Sequence, residues 1–395
     1  MDLLLTPPAE LNFDMCPSLG LRLSVIVPAK NEELLITSTL EALRLQTDDA
    51  GRPIDPNIYE ILVLANNCTD NTYQLCLEYK NKYPNFRIAV KSIDIPQAFA
   101  HIGTVRRLLM DAACKRLLDT AGHRGIIVST DADSEVDSTW IFHILMEMDK
   151  GVDVVGGRIL PRNTPKLSRL HHLRDVKYRF LTSRLESELD PCRNNPWPRH
   201  FQCYGPSLAV TCELYERAGR LPVIPFLEDE EFRKALKRVD ARIRHSPKVK
   251  IFTSSRFDGR VDFGFSVQLK QWSDMTLTRQ EQMVESLESV SMKIRIKVCL
   301  RQAYKALLSG RPIDMGTIAE HINMCHSELI ELMKQNVYFE SFWEKVEGHV
   351  AIYCPELNSV RPISQAISEF HSYFAARPRP QQHHQFSTVL NSSTL

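Results

Sequence analysis

The run Gly125-Ile126-Ile127-Val128-Ser129-Thr130-Asp131-Ala132-Asp133-Ser134 decides how this chain is read. Its apolar, β-branched first half reads as a buried strand. Two carboxylates one residue apart then stand where the strand opens into a loop. Strand alternation would send their side chains to opposite faces, so a shared site requires a turn at Ala132. In such a turn one carboxylate can hold a divalent cation while the other reaches a hydroxyl or a water on it. Hard cations take carboxylate oxygens and often share substrate phosphates. The stretch reads as a metal-diphosphate site at the end of a parallel strand. By itself the acidic triplet is a weak signal, since acidic turns are common.

The pattern around it alternates strand and helix. Strands are expected at 22–27, 60–65, 86–90, 125–129 and 152–160, with helices at 31–45, 69–83 and 103–118 between them. That order predicts an α/β fold, a mostly parallel sheet with helices on both faces. Ligands in such sheets bind at the carboxyl ends of the strands. Beyond 160 a long helix is expected at 166–188, then a proline-rich loop at 191–200, a strand at 207–210, helices at 212–218 and 229–238, and a last strand at 249–253. From about Trp272 helical periodicity takes over, with helices expected at 275–308, 315–335 and 363–374 and no strands. The domain reading is an N-terminal extension at 1–20, the α/β domain at 21–271 and a C-terminal helical domain at 272–375. A tail at 376–395, rich in Pro, Gln, His and Ser, reads as disordered.

The 395 residues exceed what one small core needs, and 43% hydrophobic with 25% charged residues is ordinary for a globular protein. A formal net charge of +1 provides no general reason to expect nucleic acid. Ten cysteines without C-x-x-C pairs read as reduced and mostly buried, Cys76, Cys114 and Cys299 inside helices. No signal peptide or transmembrane segment is evident, so the expected location is the cytoplasm, extending to a membrane surface.

Five further constellations sit at strand ends. In Val27-Pro28-Ala29-Lys30-Asn31-Glu32-Glu33 the proline is expected to stop the ladder, with Asn31 capping a helix and the glutamates on its first turn. The alternative is a nucleoside pocket made by the backbone at Pro28 and Ala29 and the carboxylate of Glu32. In Asn66-Asn67-Cys68-Thr69-Asp70 the amides either stabilise a turn or, at Asn66, pair with the edge of a base. Arg106 and Arg107 lie unusually early in their helix for cations, a penalty that an anion bound there would remove; solvated arginines are the plain alternative. Leu227-Glu228-Asp229-Glu230-Glu231 is either a solvated acidic helix start or the source of a general base. Arg256 and Arg260, beside Gly259, either clamp phosphates or an acidic acceptor, or form a basic surface loop.

Taken together these segments resemble the family 2 glycosyltransferases of the GT-A fold, in matching order from Arg22 to about Gln268. VPAKNEE at 27–33 and NNCTDNT at 66–72 look like that family's nucleotide-binding motifs, TDADS at 130–134 like its metal motif, GPSLAV at 205–210 like the strand before the base, and LEDEEF at 227–232 like its E-D motif. GxxRR at 103–107, Pro198-Arg199-His200 and Ser254 to Arg260 resemble a bacterial subgroup. The resemblance implies transfer of a sugar from a UDP- or GDP-sugar donor to an acceptor that stays unknown, metal-dependent and with inversion. It implies donor contacts from Pro28, Ala29, Glu32, Asn66, Asp70, Arg106, Arg107 and Asp131, Mg²⁺ or Mn²⁺ on Asp133 with Asp131, and Asp229 as the base. Trp197 and His200 are candidates for sugar or acceptor contacts, with Arg256 and Arg260.

Two departures stand out. The position of a late metal-binding histidine holds Thr253 to Ser255, with His245 a poor substitute. There is also no Q-x-x-R-W, which argues against a processive polymerase. The rival readings are a retaining transferase of the glucosyl-phosphoglycerate synthase type, a catalytically silent nucleotide-sugar binder, and a nucleotidyltransferase. A G-x-G-x-x-G dehydrogenase is excluded by the first strand's ending.

Overall fold

The computed structural model describes residues 10–162, 164–254, 264–312 and 315–376. In chain order the elements are β1 (Leu23–Ala29), α1 (Ile36–Arg44), β2 (Tyr59–Asn66), α2 (Thr72–Lys82), β3 (Ile88–Ile93), α3 (Ile102–Leu118), β4 (Ile126–Ser129), β5 (Ser134–Val136), α4 (Trp140–Met148), β6 (Val154–Pro161) and α5 (Lys166–Leu189). They continue with β7 (Leu208–Thr211), α6 (Cys212–Arg217), α7 (Glu228–Arg238), β8 (Ile243–Thr253), α8 (Phe265–Leu277), β9 (Met283–Glu285), α9 (Leu287–Leu308), α10 (Gly316–His321), α11 (His326–Lys334), α12 (Phe339–Tyr353), β10 (Val360–Pro362) and α13 (Ile363–Ala375).

Eight strands form one sheet in the order β3-β2-β1-β4-β7-β6-β8-β5. β1 to β4 run parallel, and β6 and β8 run parallel to each other. β7 is antiparallel to both β4 and β6, and β5 is antiparallel to β8. The sheet is therefore mostly parallel, with two reversed strands.

Every residue of β1 and β2 is buried, as their unbroken apolar runs require of strands covered on both faces. Successive side chains go to opposite layers. Leu23, Val25 and Val27 pack with Leu40 and Leu43 of α1 and Trp140, Ile141 and Ile144 of α4. Ile26, Leu62 and Leu64 pack with Val105, Leu109 and Leu117 of α3, Tyr215 of α6 and Phe232 of α7. A buried charge ties the second layer to the sheet: Arg116 on α3 donates through Nε and a terminal nitrogen to the Glu60 carboxylate of β2 at 2.8 and 2.6 Å, and Ser24 Oγ donates to it at 2.8 Å. The bidentate geometry compensates the desolvation of that carboxylate.

The helical C-terminal region has its own core, with Leu300, Tyr304, Met333, Phe342, Trp343 and Val346 at its centre. It meets the long α5 through Leu181 and Leu185, which pack against Val290, Phe370 and Phe374. Three expectations fail here. Strands are present, as the short β9–β10 ladder. The helix expected at 275–308 is two helices, α8 and α9, separated by β9, because Ser286 caps α9 by accepting from the Ser289 N–H. The expected 315–335 helix is likewise split into α10 and α11, and α12 was not foreseen. All ten cysteines are free; Cys76 and Cys114 are buried, but Cys299 is exposed on α9. Among the described residues no helix is long and apolar enough to cross a membrane.

Two local expectations are also corrected. β1 runs through Pro28 to Ala29, pairing Pro28 with Leu64. β4 pairs with β1 only as far as Ile26, so the proline lies where one side of the strand has lost its neighbour and its missing N–H is tolerated. Asn31 does not cap α1, which starts at Ile36; Asn31 has φ +53°, a left-handed conformation its short amide accepts, and the chain takes a further turn before the helix.

Gly103, in the first turn of α3, lies against the backbone of Ile224: a Cβ there would be 2.1 Å from the Ile224 carbonyl oxygen. Gly103→Ala must therefore displace one backbone from the other. The expected loss is about 1–3 kcal/mol of unfolding free energy, measured by urea denaturation. A neutral effect would show that the 221–227 loop gives way freely.

Candidate active site

Strand pairing gathers the acidic residues. β4 ends at Ser129 opposite Leu208 at the start of the antiparallel β7, so the loop after β4 lies beside the loop before β7. That juxtaposition brings Asp131 near Gly205. β5 pairs Ser134 with Thr253 at the end of β8, which brings Ser254 to the acidic triplet. Ser254 Oγ donates to Asp133 Oδ2 at 2.6 Å, and Ser134 Oγ approaches Oδ1 at 3.4 Å.

At the centre is Arg106, buried on α3. One terminal nitrogen donates to Asp131 Oδ1 at 2.7 Å and the other to Glu228 Oε1 on the first turn of α7. Its Nε is buried with no partner among the described residues. Burial alone would pull the guanidinium pKa down, but Glu228, Asp131 and Asp229 together hold it above its ordinary value. Gly205 makes room for it: a Cβ there would lie 2.6–2.8 Å from the guanidinium atoms.

Gly205 also donates its N–H to Asp229 Oδ2 at 2.8 Å, and the Glu230 N–H donates to Oδ1 at 2.8 Å. The carboxylate of Asp229 is thus oriented by backbone on both oxygens. Leu227, just ahead of α7, has φ +59°, a costly conformation for a leucine. It turns the chain so that Glu228 enters the interior while the helix begins.

Asp131 is pushed up to about 6, by burial first; Arg106 opposes that, and the carboxylates of Asp133, Asp229 and Glu228 add to it. Glu228 is also raised, by burial, then lowered by Arg106 and raised again by Asp229. Four acids and one arginine therefore share a small volume. Asp131 and Glu228 are neutralised by Arg106, whereas Asp133 has only hydroxyl donors and no cationic partner among the described residues. Its oxygens suit a hard divalent cation. No group of three or more His, Cys, Asp or Glu that could hold a metal occurs among the described residues.

The loops after β1 and β2 are joined to each other. Asn31 Oδ1 accepts from the Thr69 N–H at 2.8 Å, the Glu32 N–H donates to Thr72 Oγ1 at 2.6 Å, and Glu33 Oε2 accepts from the Asn71 N–H at 3.1 Å. Asp70 accepts from the Glu33 N–H at 3.1 Å, the Thr72 N–H at 3.0 Å and Thr72 Oγ1 at 2.6 Å. Burial raises the Asp70 carboxyl, and these bonds more than offset it, leaving it below the usual range. Asp70 thus braces the loops. Pro28, Ala29 and Asn66 are buried at the ends of their strands.

Other named residues lie elsewhere. Arg107 points away from Arg106, pairing with Asp111 at 2.7 Å and donating to the Leu221 carbonyl at 2.7 Å. His200 is packed in the interior: Nδ1 accepts from the Gln202 N–H at 3.0 Å, so the proton is on Nε2, which donates to the Ser246 carbonyl at 3.0 Å. Both ring nitrogens are spent within the fold. Trp197 is exposed and rests against Phe180, with ring centroids 5.1 Å apart. His245 is half-buried, packed against His200 and hydrogen-bonded to Asn195. Arg256 and Arg260 lie outside the described residues. Sequence reasoning missed Glu228, Gly205 and Ser254 as members of the site. The signal for Glu228 was the misplaced cation on α3, which needed an internal counter-charge.

Residues 24–198 match the model of glycosyl transferase family 2. This match identifies the segment as a family 2 glycosyltransferase domain. Among solved structures it is similar to residues 1–349 of S. aureus TarS in complex with UDP-GlcNAc, at 16% identity and a TM-score of 0.44, covering 91% of this chain and 93% of that one. It is similar to the mannosyltransferase PcManGT from Pyrobaculum calidifontis in complex with GDP-Man and Mn²⁺, at 17% identity and a TM-score of 0.41, covering 93% and 89%. No curated protein matches it in sequence.

Replacing Arg106 by Met would leave the buried Glu228 and the half-buried Asp131 without their cation, and a loss of about 3–5 kcal/mol is expected in chemical denaturation. Arg107→Ala removes a half-exposed i,i+4 pair and should cost about 1 kcal/mol or less. Equal effects would contradict the central place of Arg106.

Burial pushes His200 down to about 4; nearby Arg158 and Arg244 add to this and its carbonyl bond opposes it. The folded ring stays neutral while the unfolded ring takes a proton below about 6.5. Stability should therefore be full above that pH and fall as pH drops toward 4, by up to about 1.4 kcal/mol per unit. Unfolding curves across this range should flatten in His200→Asn. An unchanged slope would move the origin to another group.

Proposed function

We propose that the chain transfers a sugar from a UDP- or GDP-sugar to an acceptor hydroxyl, with inversion, in a Mg²⁺- or Mn²⁺-dependent reaction. The observation that carries this reading is the gathering of Asp131, Asp133 and Asp229 around the buried Arg106, at the carboxyl end of β4. A strand-end position is where open α/β sheets bind ligands. The family match supports the donor class, and PcManGT, to which the chain is similar, is described with GDP-Man and Mn²⁺.

In this reading the linked loops after β1 and β2 hold the nucleoside, with Pro28, Ala29, Glu32 and Asn66 at the pocket and Asp70 as its brace. Asp133 is the protein's ligand to the cation, which when bound would offset the charge that builds up on the departing diphosphate. Asp131, kept in place by Arg106, faces the ribose or the water around that centre. Ser254, at the position where the resemblance leads one to expect a histidine, orients Asp133. Asp229 takes the proton of the acceptor hydroxyl as that oxygen attacks the anomeric carbon, and the nucleoside diphosphate leaves from the opposite side. The two backbone N–H groups on Asp229 fix the direction of its free lone pairs, since a base must first lie within hydrogen-bond reach. Arg256, Arg260 and Trp197 remain candidates for acceptor or phosphate contacts.

Asp229→Asn preserves size and removes the base. Turnover is expected to fall about 10²–10⁴-fold while donor affinity, titrated on the same preparation, is largely kept. Asp133→Ala should instead abolish the Mn²⁺-dependent part of donor affinity. Near-normal turnover in the first variant, or full Mn²⁺-dependent affinity in the second, would overturn the corresponding role.

A further inference from the structure

The first turns of α5 are inside out. Ser168 and His171 are the buried residues there, while Leu167, Leu170 and Leu173 point outward, 47%, 55% and 54% exposed. The inward side is polar: Ser168 Oγ donates to the Pro165 carbonyl at 3.2 Å, and His171 meets the Gln282 amide at 3.3 Å. Phe180 continues the outward row at 41% exposure, and Trp197, at 42%, rests against it. Single exposed leucines are ordinary and need no explanation. A row of apolar side chains along several turns, with polar groups beneath it, does need one. Burial of apolar surface would favour the opposite rotation of the helix.

Charge follows the same row. At 100° per residue, Lys166, Arg169, Leu170, Leu173, Lys177 and Phe180 fall within an arc of about 100°, roughly 21 Å long. The three cations are exposed. No acid lies in that arc. Asp175 is on the other side of the helix, where Arg179 holds it at 2.9 Å. On adjoining segments, Glu281 is paired with Arg174 at 3.5 Å. Beside α5 lies α8, whose Thr276 Oγ1 donates to the Leu167 carbonyl at 2.5 Å; it adds exposed Lys270, Asp274 and Leu277.

We propose that this face of α5 rests on a bilayer surface that carries anionic lipid. The leucines and Phe180 enter the boundary between headgroups and acyl chains, and the cations meet the headgroup phosphates. Apolar side chains interleaved with lysine and arginine suit such an interface. The long stems of Lys166, Arg169 and Lys177 keep their charges at headgroup level while the helix sinks. Trp197, next to Phe180, carries the ring that favours the membrane–water boundary. A second copy of the chain is a poorer occupant, since a two-fold contact would set these cations against their own counterparts. The proposal goes beyond sugar transfer and needs neither donor nor metal.

The test is sedimentation of the full chain with vesicles of phosphatidylcholine alone, and with vesicles holding about one-third phosphatidylglycerol. Binding is expected to the anionic vesicles, in EDTA and without donor, and should weaken as salt rises. Asp133→Ala should bind equally. Leu170→Ser combined with Leu173→Ser should weaken binding by about tenfold or more. Lys166→Gln combined with Lys177→Gln should weaken it roughly fivefold per charge. Val337→Ser, at an 83% exposed position away from α5, should leave it unchanged. A readout without any variant uses Trp197. The other three tryptophans, Trp140, Trp272 and Trp343, are buried, so a blue shift of intrinsic emission on adding anionic vesicles reports Trp197 leaving water. No binding to anionic vesicles, equal binding to neutral ones, binding undiminished in the leucine variant, or an unshifted emission would each overturn the proposal. So would a lipid-free dimer that the leucine variant dissociates, which would assign the face to a second copy.

Discussion

The guanidinium of Arg106 is the constraint on which the acidic end of this molecule depends. It is buried, and it holds Asp131 from the β4 loop and Glu228 from α7 at once. Without a cation there, carboxylates from two distant parts of the chain would repel each other in a low-dielectric interior. With it, they can share a small volume with Asp229 close by. Removing one partner of a buried pair costs more than the pair's net worth, because a naked charge is left behind. This asymmetry makes Arg106 an organising residue whether or not it touches a ligand.

Several neighbouring features follow from the need to fit that side chain. Gly205 has no Cβ because the guanidinium occupies the space. Its N–H is then free to face Asp229. Leu227 takes up a left-handed backbone so that Glu228 can point inward at the start of α7. Strained backbone of this kind persists where its surroundings over-determine it, and it concentrates at working sites. Gly103, at the start of the same helix as Arg106, lets α3 sit directly against the loop that leads to Leu227. These glycines and the strained leucine serve one arrangement.

The two arginines of α3 show what adjacent residues on a helix can do. They diverge by about 100°. Arg106 enters the site, while Arg107 fastens the same helix to Asp111 and the Leu221 carbonyl. The acidic run at the start of α7 divides in a similar way. Glu228 is interior, Asp229 is held by backbone N–H groups, and Glu230 and Glu231 pair with Arg233 and Lys234 along their own helix. Charge density in the sequence thus resolves into one working pair and a set of local helix pairs, each worth about half a kcal/mol.

The sequence by itself determined the class of fold. The apolar runs of β1, β2 and β4 were legible because strands buried on both faces need no alternation, and the helices between them carried clear periodicity. It also placed the acidic triplet at a strand end and pointed to an anomaly in the cations of α3. It could not show how the ends of the strands meet. That the loop after β4 lies beside Gly205 follows from the reversed direction of β7, and that Ser254 reaches Asp133 follows from the antiparallel pairing of β5 with β8. Both are non-local pairings, and local composition says nothing about their direction. His200 was read as a candidate for sugar or acceptor contact, yet the fold consumes both its nitrogens. The helical region was least legible, because a hydrophobic period continues across a break that only a cap and a short ladder make. Only the tertiary structure decided which charges face inward, since burial depends on what packs against a residue and not on the residue alone.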